Sequence, residues 1–117
     1  MSTVNILFAE MACSNCNNLY EQQVQFRFGE LWQYSYKMGD RIKRGDEYYD
    51  IGKPGLPKVK ALGCLVNNIC PFCGFESPED CDIIIEFDII KDIQPLADLS
   101  KYTEENDYSY FINDDAD

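Results

Sequence analysis

Cys13-Ser14-Asn15-Cys16-Asn17 and Cys70-Pro71-Phe72-Cys73-Gly74 are the two stretches that decide the reading of this 117-residue chain. Each sets two thiols three residues apart. Six cysteines scattered at random over this length would give roughly a quarter of one such pair, so two pairs carry information. A C-x-x-C turn lets two sulfurs converge on one ion while backbone N–H groups point at them, and two such turns fill a tetrahedral shell. The turn chemistry agrees. Pro71 pre-sets φ, Gly74 permits the positive φ needed after the second cysteine, and Asn17, the next most tolerant residue, stands at the equivalent place. The spacing therefore predicts one structural zinc ion held by Cys13, Cys16, Cys70 and Cys73.

Between and beyond the knuckles the pattern is one of strands. Apolar residues alternate at Val24, Phe26 and Phe28, then at Trp32, Tyr34 and Tyr36 after a break at Gly29-Glu30, which predicts a β-hairpin with one aromatic face. Those aromatics are expected in the core. Met38 to Ile42 reads as a turn into a short strand, Asp50 to Pro57 as a loop, and Lys58 to Asn67 as a strand leading to the second knuckle. Asp82 to Phe87 and Ile89 to Gln94 form a closing hairpin across a tight Phe87-Asp88 turn, ended by Pro95. A helix competes only at Tyr20 to Gln25, where β-branched and aromatic neighbours disfavour it. The expected class is mainly β. A zinc-stapled domain over residues 1–97 is expected, with an acidic, aromatic C-terminal tail over 98–117.

On the motifs Cys13 to Asn17 and Cys70 to Gly74, and on the strand-rich frame between them, the chain resembles the zinc ribbon superfamily. The resemblance implies antiparallel hairpins that carry two knuckles and clamp one structural zinc. The 53 residues between the pairs imply an elaborated insert, which carries the aromatic hairpin and a basic loop.

Rival uses of the cysteines fit less well. Cys70-Pro71-Phe72-Cys73 also looks like a glutaredoxin active site, but no helix pattern follows it, because Gly74 to Pro78 breaks the chain. Rubredoxin-like iron binding uses the same four thiolates. Disulfides are disfavoured because Met1 to Ala12 lacks the features of a secretory signal, which with the absence of a membrane-length apolar run points to a soluble, cytoplasmic protein. Cys64 is expected to be a small buried apolar residue, and Cys81 to be blunted by the carboxylates around it.

There is no histidine, so the commonest general base and the usual ligand of open zinc sites are missing. A shell closed by four thiolates leaves no metal-bound water, and no phosphate loop or nucleophile elbow appears. The sequence argues against an enzyme, and no small-molecule substrate is evident in it. The net charge of −11 is uneven: residues 27–60 carry +3, whereas 76–92 and 98–117 carry −6 each. Such a field repels phosphate backbones and attracts basic surfaces. The leading expectation is a protein-binding role with a basic protein partner, as for an immunity or antitoxin-type inhibitor of a basic toxin or nuclease. Two alternatives stand beside it. One is an accessory of a transcription or nucleic-acid machinery, using Lys37, Arg41, Lys43, Arg44, Lys53, Lys58 and Lys60 with Tyr48 and Tyr49. The other is a purely structural accessory subunit whose folding depends on the ion.

Overall fold

The computed structural model describes residues 4–31, 33–43, 50–52, 55–77, 79–97, 99–104 and 108–112. Strands β1 (Asn5–Ala12) and β2 (Leu19–Phe26) form an antiparallel hairpin whose loop is the first knuckle, with Ala12 opposite Leu19 and Asn5 opposite Phe26. Both strands alternate as a half-buried sheet requires. Leu7, Ala9, Val24 and Phe26 face inward, while Glu21, Gln23 and Gln25 face solvent. Beyond β2, β3 (Gly29–Glu30) pairs with β5 (Asp50–Ile51) in a small separate ribbon. The chain then returns as β4 (Ser35–Lys37), parallel to β1 with Tyr36 opposite Leu7.

The aromatic alternation is thus real, but the predicted hairpin between 24–28 and 32–36 does not form. Period-two patterning states which face a residue takes and leaves its partner strand open. Here β2 pairs with β1, and Asn5 draws the chain away from a hairpin return. This side chain is buried, donates to the carbonyls of Phe28 (3.2 Å) and Glu30 (2.9 Å), and accepts from the Tyr34 N–H (3.1 Å). Tyr36 is buried and Tyr34 half-buried, while Trp32 lies outside the described residues. Two smaller expectations also change. The loop expected over Asp50 to Pro57 begins with β5, and the strand expected at 41–42 is a single bridge from Arg41 to Ile89.

Strands β6 (Val59–Leu65), β7 (Asp80–Glu86) and β8 (Ile89–Pro95) complete the main sheet in the order β4-β1-β2-β6-β7-β8. The β7–β8 hairpin is the one the sequence predicts. Phe87 (φ 50°) and Asp88 (φ 65°) both take positive φ, the turn whose twist matches that of the flanking strands. A bulge between Ile84 and Ile85 adds further twist. The sheet curls until its ends meet. Gly39 N–H donates to Ile90 O (2.8 Å), Ile90 N–H to Asp40 O (2.9 Å) and Ile42 N–H to Asp88 O (2.6 Å). The chain leaving β4 is thereby stitched to β8, and the architecture is a small barrel with both knuckles at one end.

The barrel interior holds Leu7, Val24, Phe26, Tyr36, Val59, Ile83, Ile85 and Ile90, each worth about 1.5–3 kcal/mol on full burial. Strand β6 pairs with β2 through Gly63, which stands opposite Phe26. A Cβ there would lie 2.7 Å from Val24 Cγ1 and 2.9 Å from Cys81 Sγ, so only a residue without a side chain fits.

Strand β7 is buried at five consecutive positions, Cys81 to Ile85, because it is covered on both faces. The chain after β8 crosses its outer side. Tyr102 Oη donates to Asp82 Oδ1 at 2.5 Å, the Ala97 N–H donates to Asp82 Oδ2 at 3.1 Å, and Lys60 Nζ stands 3.9 Å from that oxygen. A last strand, β9 (Tyr110–Ile112), lies along Val59 to Ala61, the part of the β6 edge that β2 leaves open. No helix among the described residues is long and apolar enough to cross a membrane.

Candidate metal centre

Both knuckles sit where hairpins turn, at the same end of neighbouring strand pairs. The first joins β1 to β2. The second lies in the connection from β6 to β7, which an Ile69–Glu76 bridge narrows just beyond it. Their backbones repeat each other. Asn17 N–H donates to Cys13 O and Gly74 N–H to Cys70 O, both at 2.9 Å, while Cys13 N–H donates to Asn18 O (3.0 Å) and Cys70 N–H to Phe75 O (2.9 Å). Asn17 (φ 64°) and Gly74 (φ 75°) take the positive φ that the turn chemistry predicts.

The sulfurs are aimed inward by the same repetition. Asn15 N–H lies 3.4 Å from Cys13 Sγ, and Phe72 N–H lies 3.3 Å from Cys70 Sγ. Across the two turns, Cys13 Sγ is 3.6 Å from Cys73 Sγ, and Cys16 Sγ is 3.7 Å from Cys70 Sγ. All four lie within 4.8 Å of one another. A tetrahedral ion with metal–sulfur bonds of about 2.3 Å requires sulfur–sulfur edges of about 3.8 Å. A disulfide requires about 2.05 Å. The four sulfurs therefore fit a single thiophilic ion in tetrahedral geometry, zinc or iron alike, and when bound the ion supplies cross-linking charge. Cys13 and Cys70 are buried, Cys16 is half-buried and Cys73 exposed, so the centre lies at the surface of the barrel end.

The electrostatics divide the four. A hydrogen bond from the Asn15 side chain, followed by the Phe75 N–H, holds the Cys73 thiol down at about 6. The Asn18 N–H, with its side-chain amide at 3.3 Å, lowers Cys16. Burial pushes Cys70 up to about 11. The donors thus favour thiolates where the sulfurs face solvent, and the inner one needs a cation beside it. The side chains of Asn15 and Asn18 donate to the sulfurs of Cys73 and Cys16, a role the sequence reading did not assign them. Two amides flanking Cys16 were the available signal.

The other two cysteines stand apart from the centre. Cys64 is exposed, contrary to the buried role expected for it, because Gly63 and Leu65 take the inward positions of β6. Cys81 is buried, and its thiol is pushed up to about 12, first by burial and then by Asp82 and Asp80. Of the predicted basic patch, Arg44, Lys53, Tyr48 and Tyr49 lie outside the described residues. Arg41 bridges to β8 beside the Phe87-Asp88 turn, and Lys43 Nζ stands 4.3 Å over the Tyr34 ring, both away from the knuckles. Comparison with known families, curated proteins and solved structures finds no match to the chain.

Proposed function

We propose that the chain is a non-enzymatic binding protein in which a zinc ion staples the knuckle end and the surface gathered there docks a basic protein, in the manner of an immunity or antitoxin-type inhibitor. The observation that carries this reading is that half of the exposed large apolar residues among those described gather in one part of the chain's fold, while Met38, Phe87, Leu99, Tyr108 and Ile112 are exposed in other elements. Leu19 (60% exposed), Val66 (53%), Ile69 (47%), Phe72 (62%) and Phe75 (38%) all sit in the knuckles or at the strand ends beside them. A chain with an intact core has no folding reason to display them there, and clustered apolar exposure marks interaction surfaces. The acidic chain around the cluster supplies the complementary field: carboxylates steer a basic partner, and aromatics such as Phe72 anchor it. Zinc is the ion of choice because a closed tetrathiolate site serves structure, and its role here is to hold the two display loops in one geometry.

Two measurements test the proposal. Native mass spectrometry should find one zinc per chain, lost on Cys13→Ser. Capture from a native lysate of the producing cells should return a basic protein whose retention falls with salt and is abolished by Phe72→Asp, while the circular dichroism of that variant stays unchanged. Retention that is indifferent both to salt and to Phe72→Asp would overturn the reading.

A further inference from the structure

A cavity of about 380 Å³ opens at the knuckle end of the barrel, where β1, β2, β6, β7 and β8 converge. Its origin is legible in the lining. Ala12, Ser14, Ser77 and Cys81 are all short side chains. They leave the mouth unfilled. Its walls are mainly apolar, formed by Met11, Leu65, Cys81, Pro95 and Leu96. Gln22, 5% exposed, is the buried polar side chain in the lining, and it hydrogen-bonds Tyr20 beside it. The volume falls within the range of small-molecule sites.

Charge selects among ligands. No Lys or Arg lines the cavity among the described residues, while Glu79 and Asp80 do. Ser14 of the first knuckle also lines it, which places the mouth beside the four sulfurs. Four thiolates with a divalent ion carry about −2, so the nearest strong charges are all negative. An anion is repelled here, and a cation is attracted in proportion to how much water the walls exclude.

We propose that the barrel mouth is a binding site for a small organic cation with an apolar body, of the alkylammonium or arylammonium class. The site needs no partner protein and has its own lining, although the Tyr20 ring in its wall meets Phe72 of the docking surface edge-on at 6.4 Å between centroids. The apolar chain occupies the space between Met11 and Leu65, and the ammonium group stays at the rim near Glu79 and Asp80.

The test uses the full zinc-loaded chain and three probes of equal chain length: hexyltrimethylammonium, 1-hexanol and hexanoate. Titration is followed by NMR at the Met11 methyl and the Tyr20 ring. Saturable shifts at both groups are expected with the ammonium probe, about tenfold tighter than with hexanol, and no saturation with hexanoate. Ala12→Phe, at an exposed lining position, should block the mouth and abolish the shifts at Tyr20. Met11→Trp is the second filling variant, for use if the first perturbs the fold. Hexanoate binding as tightly as the cation, full cation binding in both filling variants, or shifts confined to Leu19 and Phe72 would each overturn the assignment.

Discussion

Stripping the ion from the four-sulfur centre should remove a cross-link whose worth follows from where the cysteines lie in the chain. Cys16 and Cys70 are separated by 53 residues, so an ion bound by both knuckles closes a loop of that length in the unfolded chain as well as in the folded one. The entropy withheld from the unfolded ensemble is worth about 4 kcal/mol on the loop-closure relation for covalent bridges. A domain of this size holds only about 5–15 kcal/mol in total. Loss of the ion therefore takes away a large part of the stability, but the barrel interior from Leu7 to Ile90 contains no ligand and can still favour folding. The assay is urea unfolding of metal-loaded and chelator-treated protein under reducing conditions, read by circular dichroism. The expected result is a loss of about 4 kcal/mol, or roughly 15 °C in the melting midpoint. Cys16→Ser and Cys70→Ser should cost similar amounts, and the double variant little more than either, because each alone opens the same loop. A loss under about 1 kcal/mol, or additive losses in the double variant, would refute a cross-link between the knuckles.

Other expectations follow from the barrel itself. Tyr102→Phe removes the hydroxyl that donates to buried Asp82 and should cost about 1.5–3 kcal/mol in urea unfolding. Burial and Asp82 raise the Tyr102 pKa above its ordinary 10.0, so its contribution is complete below that pH and declines as pH rises beyond it. The Phe variant should lack that alkaline decline. Gly63→Ala should cost about 2 kcal/mol by overpacking, and adding Val24→Ala should recover part of the loss, since the Val24 methyl is the nearest obstacle. In the native metal-loaded protein, iodoacetamide at mildly alkaline pH should alkylate Cys64 before Cys81. Cys64 is exposed, although burial, Asp80 and Glu79 slow it by raising its pKa, whereas Cys81 is enclosed and held near 12. Peptide mapping that finds Cys81 modified first would contradict the inward placement of that residue.

The knuckles were legible because their chemistry is local: four cysteines, a proline, a glycine and an asparagine specify a turn within five residues. The β7–β8 hairpin was legible for the same reason, with an isoleucine-rich strand on either side of a two-residue turn. What escaped was non-local. Strand β4 lies parallel to β1, a pairing no turn announces, and β1 itself was hidden because its first inward position is Asn5, whose buried amide serves backbone groups around Phe28 and Tyr34. Cys64 was misplaced despite an available signal. Val59, Ala61 and Leu65 hold the odd, inward positions of β6, so an even-numbered neighbour must face out. The stitch between residues 39–42 and 88–90 is made by backbone groups, which no side-chain pattern records.

That stitch also sets an order of events during synthesis. The first knuckle leaves the ribosome with two sulfurs and nothing to complete them, and its ion can be fully held only after Cys73 has followed. The ring cannot close until Ile89 and Ile90 are available to Asp40 and Arg41, and the outer face of β7 stays bare until Tyr102 arrives. Synthesis must therefore have passed Ile90 before the ring closes and Tyr102 before the outer face is covered. Pairings this distant along the chain close slowly. A nascent chain of this protein spends its synthesis with open strand edges and two unshielded thiols, so metal supply and protection from aggregation matter most at that stage.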